Sequence, residues 1–449
     1  MEQTRIHPVD QMMPVWKLFL YGLQHVLAMY SGAVAVPLIL ASAIHLDTEH
    51  LIYLINADLF TCGVATVVQT LSFGPYIGSR LPIMQGCTFA AVTPMIMIAN
   101  AQGGSIAGLQ AVYGSVIVAG LICFVVSTFF CKLLRFFPPV VTGSVITIIG
   151  ISLMPVAVGW VGGGNPSAPD FCDPSHILLA AVVLCIILFF YRTFQGFLSN
   201  ISVLIGLVLG TILAIFLGIV NFDAVGRAAA IGITTPFAFG TPIFDPASII
   251  AMTVVMLVVM AETTGDVIAV SEIVDKPMSE KVLGNALRAD GFSTMLGGIL
   301  NAFPYTAFAQ NIGLVSLTGV RSRFVVATGG VILMILGLLP KLAAVVACVP
   351  NSVLGGAGLA MFGMVAASGI KTLSRIDFDK NCNMMVVAVS IGIAMIPLGV
   401  PKFYAKFPQW AQLIMNSGIT IGSIVAIVLN IVLNGAAKEE PKLAHRDYL

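Results

Sequence analysis

Apolar residues run along this chain in long stretches rather than with the period of a half-buried helix or strand. From Leu18 to Leu433 these stretches recur between short polar joints. Each is close to the roughly 20 residues that cross a hydrocarbon core. Fourteen segments follow, over 17–41, 51–74, 82–99, 107–131, 139–159, 176–192, 200–219, 247–271, 288–301, 305–317, 324–348, 353–370, 383–400 and 409–434. The pattern predicts an all-α polytopic membrane protein with 14 transmembrane segments. The first stretch follows a short polar start and precedes thirteen others, so it reads as a span rather than a cleaved leader.

Composition agrees: 58% of the 449 residues are hydrophobic, 9% are charged, and the mean hydropathy is +1.01. Soluble domains carry about a quarter charged residues, which excludes that class. A net charge of +1 points to no nucleic-acid partner. The eight cysteines are scattered without metal-ligand spacing, so buried structural thiols and no metal are expected. If the N-terminus is cytoplasmic, 17 of the 21 lysines and arginines fall on the inner side, among them Arg321 and Arg323. Four fall outside, where Asp47, Glu49, Asp170 and Asp173 lie. This asymmetry supports both the segment count and cytoplasmic termini.

A weak repeat sets FPPVVTGSV (137–145) beside VPNSVLGGA (349–357). Seven segments per half is an odd number, so the halves have opposite topology, as in many secondary transporters. Segments 3 and 10 are irregular. LPIMQGCTFAAVTPM (81–95) has a proline near each end, and NAFPYTAFAQNIGLVSLTG (301–319) has Pro304 followed by the amides Gln310 and Asn311. Interrupted apolar segments at corresponding positions point to a binding site near the midplane. Unwound backbone at that depth must be buried in protein or line a cavity.

Ionisable residues inside spans are functional candidates. Glu262 and Asp266 stand at i,i+4 on one face of segment 8. They suit a proton carrier or an acceptor for N–H groups, or a buried structural pair. Asp290 acts in function, or is structural, capping a helix or holding Arg288. His25 contacts substrate or bonds between helices, and Asp58 reads as a helix-packing group. Phe89, beside Thr88 in the first broken segment, offers a flat ring on which a planar ligand can stack.

QNIGLVSLTG (310–319) resembles the signature of the nucleobase–ascorbate transporter family. The likeness extends to GLQHVLAMYSGAVAVP (22–37), LPIMQGCTFAAVTPM (81–95), TPIFDPASI (241–249), AETTGD (261–266) and LGGAGLAMFGMV (354–365), and is strongest to bacterial uric acid permeases, then xanthine permeases. The resemblance implies two inverted seven-segment repeats with short strands in segments 3 and 10. It implies a core domain of 1–135 and 241–350 (segments 1–4 and 8–11). A gate domain of 136–240 and 351–434 (segments 5–7 and 12–14) would mediate a homodimer, followed by a cytoplasmic tail at 435–449. It further implies a multi-pass protein of the bacterial inner membrane, coupling purine uptake to protons without a cofactor and by elevator-type or rocking movement. Carried over, Glu262 and Gln310 bind substrate, Phe89 stacks on the base, and Thr88 precedes it. Asn311 organises the site, while His25 and Asp290 govern affinity or turnover. Glu262, Asp266, Asp290 and His25 are the proton-coupling candidates. Gly313 gives the backbone room, and Thr318 completes the motif. Uric acid is the expected substrate, because uracil carriers of the family tend to have an acid where Gln310 stands. A xanthine-preferring or uracil symporter is the first alternative, and an anion transporter of the same fold is more remote. A membrane-embedded enzyme has no nucleophile elbow, phosphate loop or metal cluster in the sequence to support it.

Overall fold

Helices dominate because a lone helix satisfies its own backbone hydrogen bonds in hydrocarbon. The computed structural model describes residues 6–379 and 382–435, so the predicted tail beyond Gly435 lies outside the described residues. The first half comprises α1 (Val15–Ala43), α2 (Thr48–Leu71), β1 (Gln85–Cys87), α3 (Val92–Ala101), α4 (Ser105–Leu133), α5 (Pro139–Val161), α6 (Pro174–Thr193), the short α7 (Phe197–Asn200) and α8 (Ser202–Phe216). A short α9 (Asp223–Arg227) lies in the crossover. The second half comprises α10 (Pro246–Ile273), α11 (Glu280–Ile299), β2 (Tyr305–Ala307), α12 (Ala309–Thr318), α13 (Arg323–Leu336), α14 (Pro340–Ala347), α15 (Asn351–Leu373), α16 (Asn383–Gly399), α17 (Gln409–Met415) and α18 (Gly418–Asn434).

Each of the fourteen predicted segments corresponds to an element or to a pair of them. Seven helices are long and apolar enough to cross a membrane on their own, and two bent pairs bring the number to nine among the described residues. The pair α13–α14 bends by 83° and α17–α18 by 79°. Pro340 opens α14 and restricts Leu339 before it, which explains the first bend. At the second, Ser417 caps α18 by accepting from Thr420 N (3.2 Å). The other five segments are shorter or more polar: segments 3 and 10 are broken, α8 and α16 are short, and α11 begins with Glu280 and Lys281.

The packing pattern maps onto itself when the first seven segments are exchanged for the last seven. α4 lies along α11 as α13 lies along α2, and α1 packs on α13 as α10 packs on α4. α6 packs on α8 as α16 packs on α18, and the equivalent helices α5 and α15 lie along each other. The short sequence repeat marks the starts of that last pair. Small residues let the two backbones approach. A Cβ on Gly150 would collide with Ala366, and one on Gly369 with Thr147. The most extensive packing is α5 on α15, α4 on α11 and α2 on α13, with lighter contacts of α10 and α3 on α17 and α18.

Two connections matter for the site. In the crossover between α8 and α10, Gly232 N donates to Leu338 O (3.1 Å), Phe237 N to Ile299 O (3.0 Å) and Ile243 N to Gln110 O (3.0 Å). At the opposite end the start of the chain is docked. Asp10 pairs with Arg323 (2.7 Å) and Lys276 (3.5 Å), and Ser322 Oγ donates to Gln11 O (2.7 Å).

The cysteines depart from expectation. Cys62, Cys87 and Cys123 are buried, but Cys172, Cys185 and Cys382 are exposed and Cys348 is half-buried. An apolar run in a membrane protein has a lipid-facing side, so an apolar neighbourhood does not imply burial in protein. The Cys131 side chain lies outside the described residues.

Candidate binding site

Segments 3 and 10 break where proline and glycine forbid a continuous helix. Pro304 has no N–H to give and holds Phe303 away from helical geometry. What remains extended is two three-residue strands. β1 and β2 pair antiparallel, Gln85 with Ala307, Gly86 with Thr306 and Cys87 with Tyr305. Thr88 N donates to Pro304 O (2.9 Å) and Phe308 N to Met84 O (2.9 Å), so the ladder continues one step at each end. Pairing the strands satisfies backbone groups that lipid cannot.

Each strand delivers the chain into a half-helix, and the two beginnings differ. Thr88 Oγ1 accepts from Ala90 N (3.1 Å) and caps the turn Phe89–Ala91 that leads into α3. Its symmetry equivalent is Phe308, which has no side-chain cap to offer α12. Asn311 N turns back to Phe308 O (3.0 Å), so the N–H groups of Ala309 and Gln310 stand without a side-chain cap at the positive end of the helix dipole. Thr88 itself is buried and engaged in capping. A threonine before a helix start is drawn to the free N–H groups, which accounts for this cap.

α12 exposes one face, with Ala309, Gln310, Gly313, Ser316 and Leu317 at helical spacing. Gly313, expected to give the backbone room, lies on this face. A Cβ there would meet nothing within 4 Å, because the glycine lies on this open face and not at a helix contact. Thr318 ends the helix, its Oγ1 donating to Leu314 O (2.8 Å) and accepting from Val320 N (3.3 Å), with Gly319 left-handed at φ 65°.

α10 packs on β2, on α12 and on the turn at Phe89. Thr263 Oγ1 lies 3.1 Å from Thr306 Oγ1 and accepts from Ala307 N (3.4 Å), which seats this helix on the strand crossing. The same register directs Glu262 into a narrow crevice against Val141, Thr142, Val145 and Ile149 of α5. Glu262, Gly265, Asp266 and Ala269 form a partly open face of α10. Asp266 is within electrostatic reach of Glu262 and Asp290. Among the described residues no salt bridge engages these three acids. Asp290 is fully buried; its Oδ1 accepts from Gln85 Nε2 (2.9 Å), while Oδ2 and Asp266 Oδ2 have no partner. Arg288 does not hold Asp290: it donates to Asn285 Oδ1 (2.8 Å) instead.

Asn311 is buried and its Nδ2 donates twice to His25, to ring Nδ1 (3.1 Å) and to the backbone carbonyl (2.9 Å). Donation to Nδ1 leaves the ring proton on Nε2. The pair ties α12 to α1, and Asn311 Oδ1 remains unpaired. Phe89 meets Phe362 of α15 edge-on, with centroids 5.8 Å apart at 78°. Phe308, absent from the sequence reading, lies over Gly32 and Gly86; Gly32 also faces the Phe89 ring. Two rings, one from each broken segment, converge on Gly32. The internal repeat was the available signal, since Phe308 occupies the place of Thr88 in the second half.

Both open faces run from the strand crossing toward the end where the N-terminus is docked. At the far end α17 packs on α3 and α10, and Gln409 Nε2 donates to Ala101 O (3.4 Å). The site thus offers a carboxylate acceptor at 262, an amide with both donor and acceptor at 310, uncapped N–H groups at the start of α12 and two aromatic rings. A planar heterocycle with alternating N–H and C=O groups complements this set.

Residues 16–403 match a family described as the Permease family. A xanthine permease of Bacillus subtilis (strain 168) is 49% identical over 93% of this chain and 94% of its own. The uric acid transporter UacT of Escherichia coli (strain K12) is 43% identical over 95% and 88%, and the uric acid permease PucJ of Bacillus subtilis (strain 168) 45% over 95% and 94%. Among solved structures, the transmembrane domain of the cyanobacterial bicarbonate transporter BicA superposes with TM-score 0.64 at 17% identity, over 94% of this chain and 99% of that one. SLC26A9 superposes with TM-score 0.63 at 12% identity, over 94% and 66%. These two likenesses concern the fold alone.

Proposed function

The chain belongs to the nucleobase–ascorbate transporter family, and from that premise we propose that it imports oxidised purines, uric acid first, by symport with protons. It is a multi-pass membrane transporter rather than an enzyme. One observation carries the substrate class: around one strand crossing stand a carboxylate and an amide without a hydrogen-bond partner among the described residues, and an uncapped helix start. Purine ring N–H groups donate to Glu262, and the carbonyls accept from Gln310 and from the first N–H groups of α12. Phe89 and Phe308 supply apolar faces for the ring. A site built of such groups rejects analogues that leave them unpaired.

The proton rides on one of Glu262, Asp266 and Asp290. None is in a salt bridge among the described residues, so its charge is neutralised by a proton or by substrate N–H groups. Because His25 Nδ1 is taken by Asn311, His25 serves better as a positioning group than as a proton carrier. Segments 1–4 and 8–11 act as the core that carries substrate, and segments 5–7 and 12–14 as the gate, through which a homodimer forms. The core slides or rocks against the gate in an elevator-type cycle. With cytoplasmic termini in a bacterial inner membrane, the open faces of α10 and α12 make this an inward-facing state.

A second reading, xanthine before urate, is favoured by the 49% identity to a protein named xanthine permease. Competition by urate, xanthine, hypoxanthine, guanine and uracil for labelled purine uptake into proteoliposomes separates the two. Urate and xanthine compete and uracil competes poorly if the proposal holds; the order of the first two selects the reading. Absence of saturable purine uptake sinks both.

A further inference from the structure

The two strands are held by matching devices. On β1, Gln85 N donates to Thr66 Oγ1 of α2 (3.0 Å), and Gln85 Nε2 donates to Asp290 Oδ1 of α11 (2.9 Å). On β2, Tyr305 N donates to Thr294 Oγ1 of α11 (3.1 Å), and Tyr305 Oη donates to Asp58 Oδ1 of α2 (2.9 Å). The ladder is centred on Gly86 and Thr306, so exchanging the two halves places Gln85 on Tyr305 and α2 on α11. Each strand ties its backbone to a threonine of one helix and a side chain to an aspartate of the other. Asp290 lies one helical turn from Thr294, whereas Asp58 lies about two turns from Thr66. Tyrosine is longer than glutamine and reaches across the extra turn.

We infer that Asp58 is a positioning residue for substrate, the internal counterpart of Asp290. Its carboxylate fixes Tyr305, Tyr305 fixes β2, and β2 sets Phe308 and the open start of α12. This rests on the purine site described above. Asp58 and Tyr305 are both buried, and Asp58 forms no salt bridge among the described residues. Tyr305 Oη also donates to the Asp58 backbone carbonyl (3.2 Å), and the Cys62 thiol lies 3.8 Å from each carboxylate oxygen. The tyrosine ring is wedged against α11, where a Cβ on Gly297 would stand 3.0 Å from Cε2. The lock therefore grips three elements, α2, α11 and β2. Phe308 is one residue past the strand, so slack at Tyr305 passes straight to the ring.

The test uses full-length protein, purified and then reconstituted. Dissociation constants for xanthine and urate come from calorimetry, and KM and Vmax from proteoliposomes. Tyr305→Phe keeps the ring but removes the donor; purine Kd and KM rise about tenfold, the effect of one buried hydrogen bond to a charged group, while Vmax changes less than about twofold. Asp58→Ala matches it, and Asp58→Asn, whose amide oxygen still accepts, stays within about threefold of wild type. The double variant Asp58→Ala with Tyr305→Phe is no worse than either single change, the mark of one shared interaction. Unchanged Kd in Tyr305→Phe, equal damage in Asp58→Asn and Asp58→Ala, or additive losses overturn the assignment. Wild-type protein that binds neither purine counts instead against the substrate reading on which the assignment depends.

Discussion

Replacing Gly32 with alanine tests whether Phe308 belongs to the site. The added Cβ would stand 2.6 Å from Phe308 Cζ and 3.1 Å from Cε1, but 3.8 Å from Phe89 Cζ. Carbon atoms rest about 3.5–4.0 Å apart, so the Phe308 ring must yield by roughly 1 Å while Phe89 stays in ordinary contact. Inserting one carbon into a packed site costs about 1–3 kcal/mol. If the ring is displaced where purine stacks, that cost falls on binding and corresponds to a loss of about 5- to 150-fold. The expected result is a purine KM raised about tenfold, measured by initial uptake into proteoliposomes, with a thermal midpoint of the empty protein lowered by whatever strain the ring does not relieve by moving. Gly392→Ala is the control, since nothing lies within 4 Å of its added Cβ. A KM in Gly32→Ala equal to that of the control, with substrate still saturable, would refute the placement of Phe308 beside the base.

Three further outcomes follow from the same geometry. Glu262→Gln keeps the shape of the side chain but cannot carry a proton; accumulation driven by a pH gradient falls to the background of empty vesicles while the protein stays folded by size-exclusion chromatography. Gln310→Glu replaces an amide that both donates and accepts with a pure acceptor; urate affinity drops and uracil becomes a better competitor, and an unchanged competition order excludes Gln310 as a contact. Asn311→Ala removes two hydrogen bonds to His25 and leaves the buried ring Nδ1 without its donor. The cost is about 2–4 kcal/mol, read as a lower thermal midpoint, and a midpoint equal to wild type contradicts the tie between α1 and α12.

Much of the architecture could be read from apolar length and punctuation. Pro304, Pro82 and Gly86 betrayed the two breaks, because neither residue type sustains a helix and lipid forbids an unpaired alternative. Other features are invisible to these signals. α11 begins at Glu280, eight residues before the predicted segment, because Lys281, Asn285 and Arg288 dilute its apolar character while Ser279 caps it. The bends in segments 11 and 14 leave apolar length unchanged, so each read as one straight span. Within the site, Glu262 and Asp290 stood out as acids in apolar surroundings, and Asp58 was read as a packing group. Its partner Tyr305 was not foreseeable: a three-residue strand has no period, and the two residues lie 247 positions apart.

Coupling is the central claim and has a direct measurement. Proteoliposomes holding the protein at one internal pH are diluted into medium of equal pH or of lower pH, and labelled urate and xanthine are followed over time. Concentrative uptake that appears only with acid outside and collapses on adding a protonophore is the predicted result. Purine accumulation that ignores both the gradient and the protonophore, in protein that binds purine normally, would contradict proton symport.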